Sequence, residues 1–202
     1  ASSKQGKNMA DNTIASRAVV IGGSAGSLEV LLKLVPNLPV DSDAVFIVVV
    51  HRKNDPDSIL QLLFESRTAM KVKEVEDKEP IEANTIYIAP PDYHLLLEDD
   101  HNFSLDSSEK INYSRPSIDV TFESVAEIFG ERSIGVLLSG ANSDGALGLD
   151  SIKKAGGYAI VQHPESAEVD FMPMQAININ AYTVIERSGE IAQIIADQLK
   201  LI

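Results

Sequence analysis

The sequence has no cysteine and no tryptophan among its 202 residues, and it is poor in basic residues. Without cysteine the chain can form neither a disulfide nor a thiolate metal site, and it has no cysteine nucleophile. Its 17 Lys and Arg against 30 Asp and Glu give a formal charge of -13, which would repel a phosphate backbone. Nucleic acid is therefore not an expected partner, and the absence of cysteine fits a reducing, cytoplasmic location.

Long apolar runs are also absent. No segment reaches the ~18 uninterrupted apolar residues that a membrane helix needs, so membrane insertion is not expected. Residues 1–16 are small and polar, have no periodicity and lack the apolar core of a signal peptide. We expect a disordered lead there, or a remnant foreign to the fold ahead of Met9, followed by one domain over residues 17–202.

Short apolar segments alternate with segments of helical period along the first half of the chain. RAVVIG and AVFIVVVH (44–51) predict buried strands, with a helix between them that ends at Pro36. A second helix is predicted over 55–67, with Asp55 as cap and Pro56 in its first turn. Residues 71–106 are short alternating pieces broken by Pro, Asp and Asn, which predicts a meander or hairpin insertion at the edge of the sheet.

The alternation becomes regular again in the second half. A helix is predicted over 116–130, capped by Ser117 and ended by Gly130, and it is followed by the strand SIGVLLSG. A helix over 144–155, the strand YAIVQ, a short helix after Pro173, the strand TVIE and a final helix complete the pattern. Strands and helices that alternate in this way predict an α/β fold with a mostly parallel sheet.

The turn GGSAGS (22–27) follows the first strand and precedes the first helix, which allows three interpretations. As a dinucleotide site it lacks two glycines of G-x-G-x-x-G, because Ser24 and Ser27 occupy their positions, although Arg52 could suit a 2′-phosphate. As a nucleophile elbow it matches G-x-S-x-G and places Ser24 at a helix N-terminus, where the N–H of Ala25 is the natural first donor to an oxyanion. The third interpretation is a turn with no chemistry.

A serine nucleophile needs a base, and the base needs an orienting group. His51 ends the second strand and would lie at the same sheet edge as Ser24, because the carboxyl ends of parallel strands meet there. Asp144, in LLSGANSDGALGL, follows another strand that ends at this edge. A capping role is open for both His51 and Asp144. The sequence nevertheless predicts that the three side chains converge.

The residues resemble the catalytic domain of the CheB-type chemotaxis protein-glutamate methylesterases from about Arg17 to the C-terminus. The resemblance rests on a His at the end of the second strand and on five segments in the family's order: VVIGGSAGS, IYIAPPDYHLLLE, SRPSIDVTFESVA, GVLLSGANSDGALGL and AGGYAIVQHPESAEVDFMPMQAI. Each segment alone is a weak match, whereas five in order over nearly the whole chain are specific.

The resemblance implies a three-layer α/β/α, doubly wound, mostly parallel sheet and a triad of Ser24, His51 and Asp144, with no cofactor and no metal. It implies removal of methyl groups from glutamate γ-esters on the cytoplasmic helices of methylated chemoreceptors, and in many members deamidation of glutamines there. Members usually carry a receiver domain ahead of the esterase. The chain is therefore either one domain of a longer protein, with a receiver domain as a further implied partner, or a stand-alone form.

The chain departs from the family's usual pattern close to the turn and the histidine. Ala25 stands in place of Thr, Ser27 in place of Gly, and Ala141-Asn142 in place of Met-Gly, while Val50 and Arg52 flank His51 in place of Gln and Met. We expect backbone N–H groups at Ala25 and near Ala141 to hold the oxyanion, and side-chain changes need not remove such donors.

Two further residues, Arg115 and Asn142, are candidates for substrate binding. Arg115 could position an acidic receptor segment, and its alternative role is a solvated or helix-linking arginine. Two other functions remain open at this point: a catalytically degenerate or nucleotide-binding module that acts by binding only, and a small-molecule carboxylesterase that uses the same triad.

Overall fold

The computed structural model describes residues 13–52 and 59–202. Within these ranges nine strands lie in chain order: β1 (Arg17–Gly23), β2 (Ala44–Val50), β3 (Lys71–Glu74), β4 (Thr85–Ile88), β5 (His94–Leu97), β6 (Phe103–Asp106), β7 (Ser133–Leu137), β8 (Tyr158–Gln162) and β9 (Val184–Glu186). Seven of them form one parallel sheet in the order β3-β4-β2-β1-β7-β8-β9. The other two, β5 and β6, pair as an antiparallel hairpin.

Helices cover both faces of the sheet. They are α1 (Ser27–Leu34), α2 (Ile59–Glu65), α3 (Ile118–Phe129), α4 (Ala146–Lys154), α5 (Phe171–Asn178) and α6 (Ile191–Leu199). Successive strand residues point to opposite faces, so that Val20 packs in one core with α3, α4 and α5 while Val19 packs in another with α1, α2 and α6. The predicted three-layer α/β/α architecture is confirmed. None of the helices in the described ranges is long and apolar enough to cross a bilayer.

The prediction of a meander or hairpin insertion over 71–106 is wrong for its first half, although the predicted position at the edge of the sheet is confirmed for β3. β3 and β4 extend the main sheet as parallel strands, and only β5 and β6 form the predicted hairpin. All four residues of β4 are buried, with Tyr87 in one core and Ile86 and Ile88 in the other. A strand of four residues is too short for its pattern to distinguish a two-sided buried strand from an alternating one.

The helix ends agree with the sequence at some positions and differ at others. Ser117 caps α3 by accepting from the N–H of Val120, and Gly130 ends that helix, as predicted. α4 begins later than predicted, after Gly145, whose φ of +100° favours glycine. α5 begins before Pro173 instead of after it, since proline is tolerated in a first helical turn.

Two predicted features fall partly or wholly outside the described residues. Asp55 and Pro56, predicted to start the second helix, lie outside them, and α2 is described from Ile59 onward. Of the lead predicted over residues 1–16, the structure describes only 13–16, and these residues are hydrogen-bonded to the domain. The Thr13 carbonyl accepts from the N–H of Ala83, and the N–H of Ala15 donates to the Ile81 carbonyl.

Candidate active site

The site lies where three adjacent strands of the sheet end. β1 leads directly into Ser24, its neighbour β2 leads into His51, and its other neighbour β7 leads into the loop that carries Asp144. Backbone hydrogen bonds join these loops: the Ser24 N–H donates to the Ser139 carbonyl at 2.9 Å, and the His51 N–H donates to the Gly23 carbonyl at 3.2 Å. The three predicted residues are therefore brought to one edge by the sheet itself.

The His51 ring is contacted at both of its nitrogens. Its Nε2 lies 2.7 Å from Oδ2 of Asp144, while Asn142 Nδ2 and Ser114 Oγ lie 3.4 and 3.5 Å from its Nδ1. The His51 side chain is 15% exposed and that of Asp144 is fully buried. With a proton on Nε2 donated to Asp144, the lone pair of Nδ1 is left on the opposite side of the ring.

Asp144 also binds the N-terminus of α3, in addition to the histidine. Its carboxylate accepts from the N–H groups of Ile118 and Asp119 at 2.6 and 3.0 Å. Ser117 Oγ and Asn112 Nδ2 donate to it as well, at 2.9 and 3.0 Å. Burial by itself would raise the pKa of Asp144, but the hydrogen bonds from His51 and from these backbone N–H groups outweigh burial and lower it. Asp144 therefore stays ionised beside the imidazole.

A second buried carboxylate, Asp119, lies next to Asp144. It accepts from the N–H groups of Gly145 and Gly148 at 2.9 and 2.7 Å, and Asn112 Nδ2 donates to both carboxylates. Burial, together with the negative charge of Asp144, raises the pKa of Asp119 to about 6. The pKa values of the two neighbouring carboxyl groups are thus shifted in opposite directions from their ordinary value.

The raised pKa of Asp119 predicts a pH-dependent stability. Its pKa rises from 3.8 in the unfolded chain to about 6 in the fold, so the stabilisation from its proton is complete below the lower value and is lost as pH rises through about 6. Asp144, whose pKa is lowered, gives stabilisation that is present above 3.8 and is lost only at more acidic pH. We therefore expect the unfolding free energy of the wild type to fall by on the order of 2 kcal/mol through Asp119 between about pH 4 and pH 6. Asp119→Asn should not show this fall.

Urea unfolding of the wild type and Asp119→Asn across this pH range measures the effect. The difference in unfolding free energy between the two proteins should shift steadily in favour of the variant as the pH rises. Parallel pH profiles for the two proteins would show that Asp119 does not titrate in this window.

The Ser24 hydroxyl lies against a loop that is fixed from both sides. The N–H of Ala141 donates to Ser24 Oγ at 3.1 Å. The preceding residue, Gly140, donates to the Val169 carbonyl and accepts from the N–H of Met172, both at 3.0 Å. Ser24 and His51 line the same cavity of about 510 Å³, although no hydrogen bond joins their side chains among the described contacts. Such catalytic contacts are often long without substrate and tighten in the complex.

Gly140 is the position at which added bulk should disturb this arrangement most directly. A methyl group there would lie 2.5 Å from Ser24 Oγ and 2.5 Å from Met172 Cε, and both contacts are too short to be kept without a shift. Because a displacement of ~1 Å at a reacting group can cost about 10²-fold, we expect Gly140→Ala to lower kcat by about that factor.

The matched control for this variant is Gly189→Ala, since a methyl group at Gly189 would meet no atom within 4 Å. The rate of Ser24 labelling by a fluorophosphonate and the turnover of an ester substrate should both fall in Gly140→Ala and stay at the wild-type level in the control. An equal effect of both substitutions would contradict the proposed packing against Ser24.

The candidates for oxyanion and substrate binding, Ala25, Asn142 and Arg115, lie in different loops around the site. Ala25 is exposed at the start of α1, and its carbonyl accepts from Ser139 Oγ at 2.7 Å. Asn142 shapes the turn by accepting from the N–H of Asp144 at 3.0 Å, in addition to its contact with His51. Arg115 donates to two consecutive carbonyls, those of Ser107 and Ser108, at 2.9 Å each, and so anchors the loop before α3.

Arg52, the candidate for a 2′-phosphate, is already engaged. Its Nη2 donates to the Glu74 carboxylate at 2.9 Å and to the Ala89 carbonyl at 3.3 Å. These bonds reduce its capacity to hold a phosphate, which weakens the dinucleotide interpretation of the glycine turn.

Sequence reasoning missed the polar residues that surround Asp144. The sequence predicted Ser117 as a helix cap and gave Asp119 and Asn112 no place in the site. His94 is buried, and its ring bridges the Glu109 carbonyl and the N–H of Ser117. The one available indication was the density of polar side chains in the segment INYSRPSID.

Comparison with known proteins gives one consistent result. The sequence matches the family profile described as CheB methylesterase over residues 19–195. It is 42% identical over 177 residues to a Leptospira interrogans protein named putative protein-glutamate methylesterase/protein-glutamine glutaminase, a match that covers 88% of this chain and 92% of that protein. It is 36% identical over 167 residues to the Thermotoga maritima protein-glutamate methylesterase/protein-glutamine glutaminase, covering 81% of this chain and 48% of that protein.

A solved structure agrees with these sequence matches. The crystal structure of the Thermotoga maritima CheB methylesterase catalytic domain superposes with a TM-score of 0.87 at 33% identity, covering 94% of this chain and 100% of that chain.

Proposed function

The chain belongs to the CheB methylesterase family, and from that premise we propose that it hydrolyses glutamate γ-methyl esters on methylated chemoreceptors and deamidates glutamines on the same proteins. The single observation that carries the proposal is the His51–Asp144 hydrogen bond of 2.7 Å beside Ser24, at the edge where β1, β2 and β7 end. We further propose a cytoplasmic location, where the methylated receptor segments lie.

The proposed reaction begins with attack of Ser24 Oγ on the ester carbonyl carbon. His51 Nδ1 accepts the hydroxyl proton as the new C–O bond forms, and Asp144 stabilises the imidazolium through Nε2. When the tetrahedral intermediate collapses, the bond to the methoxy oxygen breaks and His51 returns the proton to it, which releases methanol. With a glutamine substrate the same transfer releases ammonia.

Water completes the cycle. It attacks the acyl-enzyme at the same carbonyl carbon and gives a proton to His51 Nδ1, and the bond to Ser24 Oγ then breaks. That proton restores the Ser24 hydroxyl. The second proton of the water stays on the product carboxylic acid, which loses it to solvent and becomes a glutamate carboxylate. Asp144 suits the orienting role because its lowered pKa keeps it ionised throughout.

Backbone donors are proposed to stabilise the negative charge on the carbonyl oxygen. The N–H of Ala141 is already directed at Ser24 Oγ, so a carbonyl bound next to that oxygen would lie within its reach. Ala25 would supply the second N–H from the start of α1, where the helix dipole favours negative charge. Loss of one such donor costs about 10²- to 10³-fold in comparable sites.

The experiment that tests this function is mass spectrometry of a methylated receptor fragment before and after incubation with the protein. Each hydrolysed ester should lose the mass of one methylene group, and methanol should appear in equal amount. A fragment that keeps all of its methyl groups, with a protein whose Ser24 reacts with a fluorophosphonate, would indicate an esterase for other substrates. A protein that neither demethylates nor reacts would favour the binding-only alternative.

A further inference from the structure

A second cavity, of about 440 Å³, shares His51 and Arg52 with the first and has a basic lining. Three of its residues are cationic, Arg52, Lys110 and Arg115, and one, Asp92, is anionic. This local excess of positive charge occurs in a chain whose formal charge is -13. The charge of this lining is therefore opposite in sign to the net charge of the chain.

The cations here are only partly neutralised by the protein. Arg52 forms an ion pair with Glu74. Arg115 bonds to neutral carbonyls and also interacts electrostatically with the Asp106 carboxylate. Lys110 is exposed and forms no ion pair within the described ranges. The Nε atoms of Arg52 and Arg115 are buried and have no hydrogen-bond partner among the described residues. The exposed Lys110 therefore offers its positive charge to an acidic partner beside the histidine.

The rim of this cavity carries an exposed tyrosine on a tight turn. Ile111 and Ser114 exchange two backbone hydrogen bonds of 3.1 and 3.0 Å, and the two residues between them, Asn112 and Tyr113, have φ of 51° and 63°. Both values are left-handed, which is uncommon for residues other than glycine and more so for a tyrosine than for an asparagine. Tyr113 is 97% exposed, so no packing within the described chain explains it.

The turn 111–114 is anchored in the active site, although Tyr113 at its tip is exposed. Asn112 donates to the carboxylates of Asp119 and Asp144, and Arg115 holds the carbonyls on the preceding segment. Tyr113 is therefore presented from a fixed base, and little ordering is needed when a partner binds to it.

We propose that Lys110, Tyr113 and Arg115 form a substrate-binding rim that holds an acidic segment of the receptor next to the esterified glutamate. This inference rests on the proposed function. Methylation sites that are unmodified or already hydrolysed are glutamate carboxylates, so a segment with several sites is anionic around the reacting ester. Tyr113 would pack on the apolar part of that segment while Lys110 and Arg115 face its carboxylates.

A local rim is needed because the net charges of enzyme and substrate have the same sign. At physiological ionic strength charges interact over only about 8 Å, so distant repulsion is screened while contacts at the rim persist. The rim would thus select acidic protein segments and contribute little to small neutral esters, which reach Ser24 without touching it.

Lys110→Glu and Tyr113→Asn test the proposal, the second because asparagine tolerates a left-handed backbone. For each variant kcat/KM is measured on the methylated receptor fragment and on p-nitrophenyl acetate. We expect the ratio of the two values to fall about tenfold or more in Lys110→Glu and by a smaller factor in Tyr113→Asn, mainly through KM for the receptor fragment. Added salt should lower the receptor value of the wild type more than that of Lys110→Glu.

Lys200→Glu is the matched control, because it makes the same charge change just after α6. The nearby Ile202 carbonyl accepts from Arg17, the first residue of β1, so this part of the chain lies at the edge where the strands begin and not at the active-site edge. Its ratio should stay at the wild-type value. If the wild type fails to demethylate the receptor fragment, the proposed function itself fails. If the wild type demethylates it and Lys110→Glu leaves the ratio unchanged, or lowers both activities equally, the rim proposal is overturned.

Discussion

Ser24→Ala is expected to abolish methanol release from a methylated receptor fragment, with a decrease in kcat of up to about 10⁶-fold. The variant removes the only atom that can form the acyl-enzyme in the proposed reaction. It leaves the backbone contacts of the turn in place, because the Ser24 N–H still donates to the Ser139 carbonyl. The hydroxyl's one described partner is the N–H of Ala141, so the fold should be retained.

Ser188→Ala is the matched control, since it also removes one serine hydroxyl. Ser188 lies in the short 3₁₀ helix that follows β9 and does not contact His51 among the described hydrogen bonds. Methanol release, fluorophosphonate labelling and thermal unfolding are measured on all three proteins. Wild type and Ser188→Ala should react with the probe and release methanol, and Ser24→Ala should do neither while unfolding at a similar temperature. Methanol release by Ser24→Ala at the wild-type rate would remove this serine from the mechanism.

Asp144→Asn should impair both activity and stability, because the carboxylate orients the histidine and also binds the start of α3. For activity, loss of the carboxylate favours the wrong imidazole tautomer, which costs about 10⁴-fold in kcat in a comparable triad. For stability, the new NH₂ group takes the place of a carboxylate oxygen that accepts from the N–H groups of Ile118 or Asp119, and backbone N–H groups can only donate. A buried donor left without an acceptor costs about 1–3 kcal/mol.

Urea unfolding and kcat on the receptor fragment measure the two effects separately. Asp150→Asn is the control, since Asp150 forms an i,i+4 pair with Lys154 on α4, and such a pair contributes only about 0.3–0.5 kcal/mol. We expect a clear decrease in unfolding free energy and in kcat for Asp144→Asn and near wild-type values for the control. A destabilised Asp144→Asn that keeps its kcat would show that this carboxylate is structural and not part of the triad.

The convergence of Ser24, His51 and Asp144 could be predicted from the sequence because it depends on one general property of the fold. Apolar strands alternating with helices predict a parallel sheet, and the carboxyl ends of parallel strands lie at one edge. Residues that directly follow three strands therefore share that edge whatever the details of packing. The strand order places β1 between β2 and β7 and makes the three loops neighbours.

The surroundings of these residues could not be predicted in the same way. Asp144 was a candidate cap for the helix that follows it, yet it accepts from the first N–H groups of α3, a helix from an earlier part of the chain. The opposite pKa shifts of Asp144 and Asp119 depend on how closely α3 and α4 approach: a methyl group at Gly148 would lie 2.9 Å from the Cα of Asp119. No local pattern reports such a distance.

The sequence by itself thus determined the α/β class and which residues lie at the edge of the sheet, since periodicity and strand ends are local properties of the chain. Only the tertiary structure decided which carboxylate is held by which donors, that β3 and β4 extend the sheet, and that Tyr113 stands exposed above a basic cavity. Those features arise from contacts between segments far apart in the sequence, and their energies depend on distance and burial, which exist only once the chain has packed.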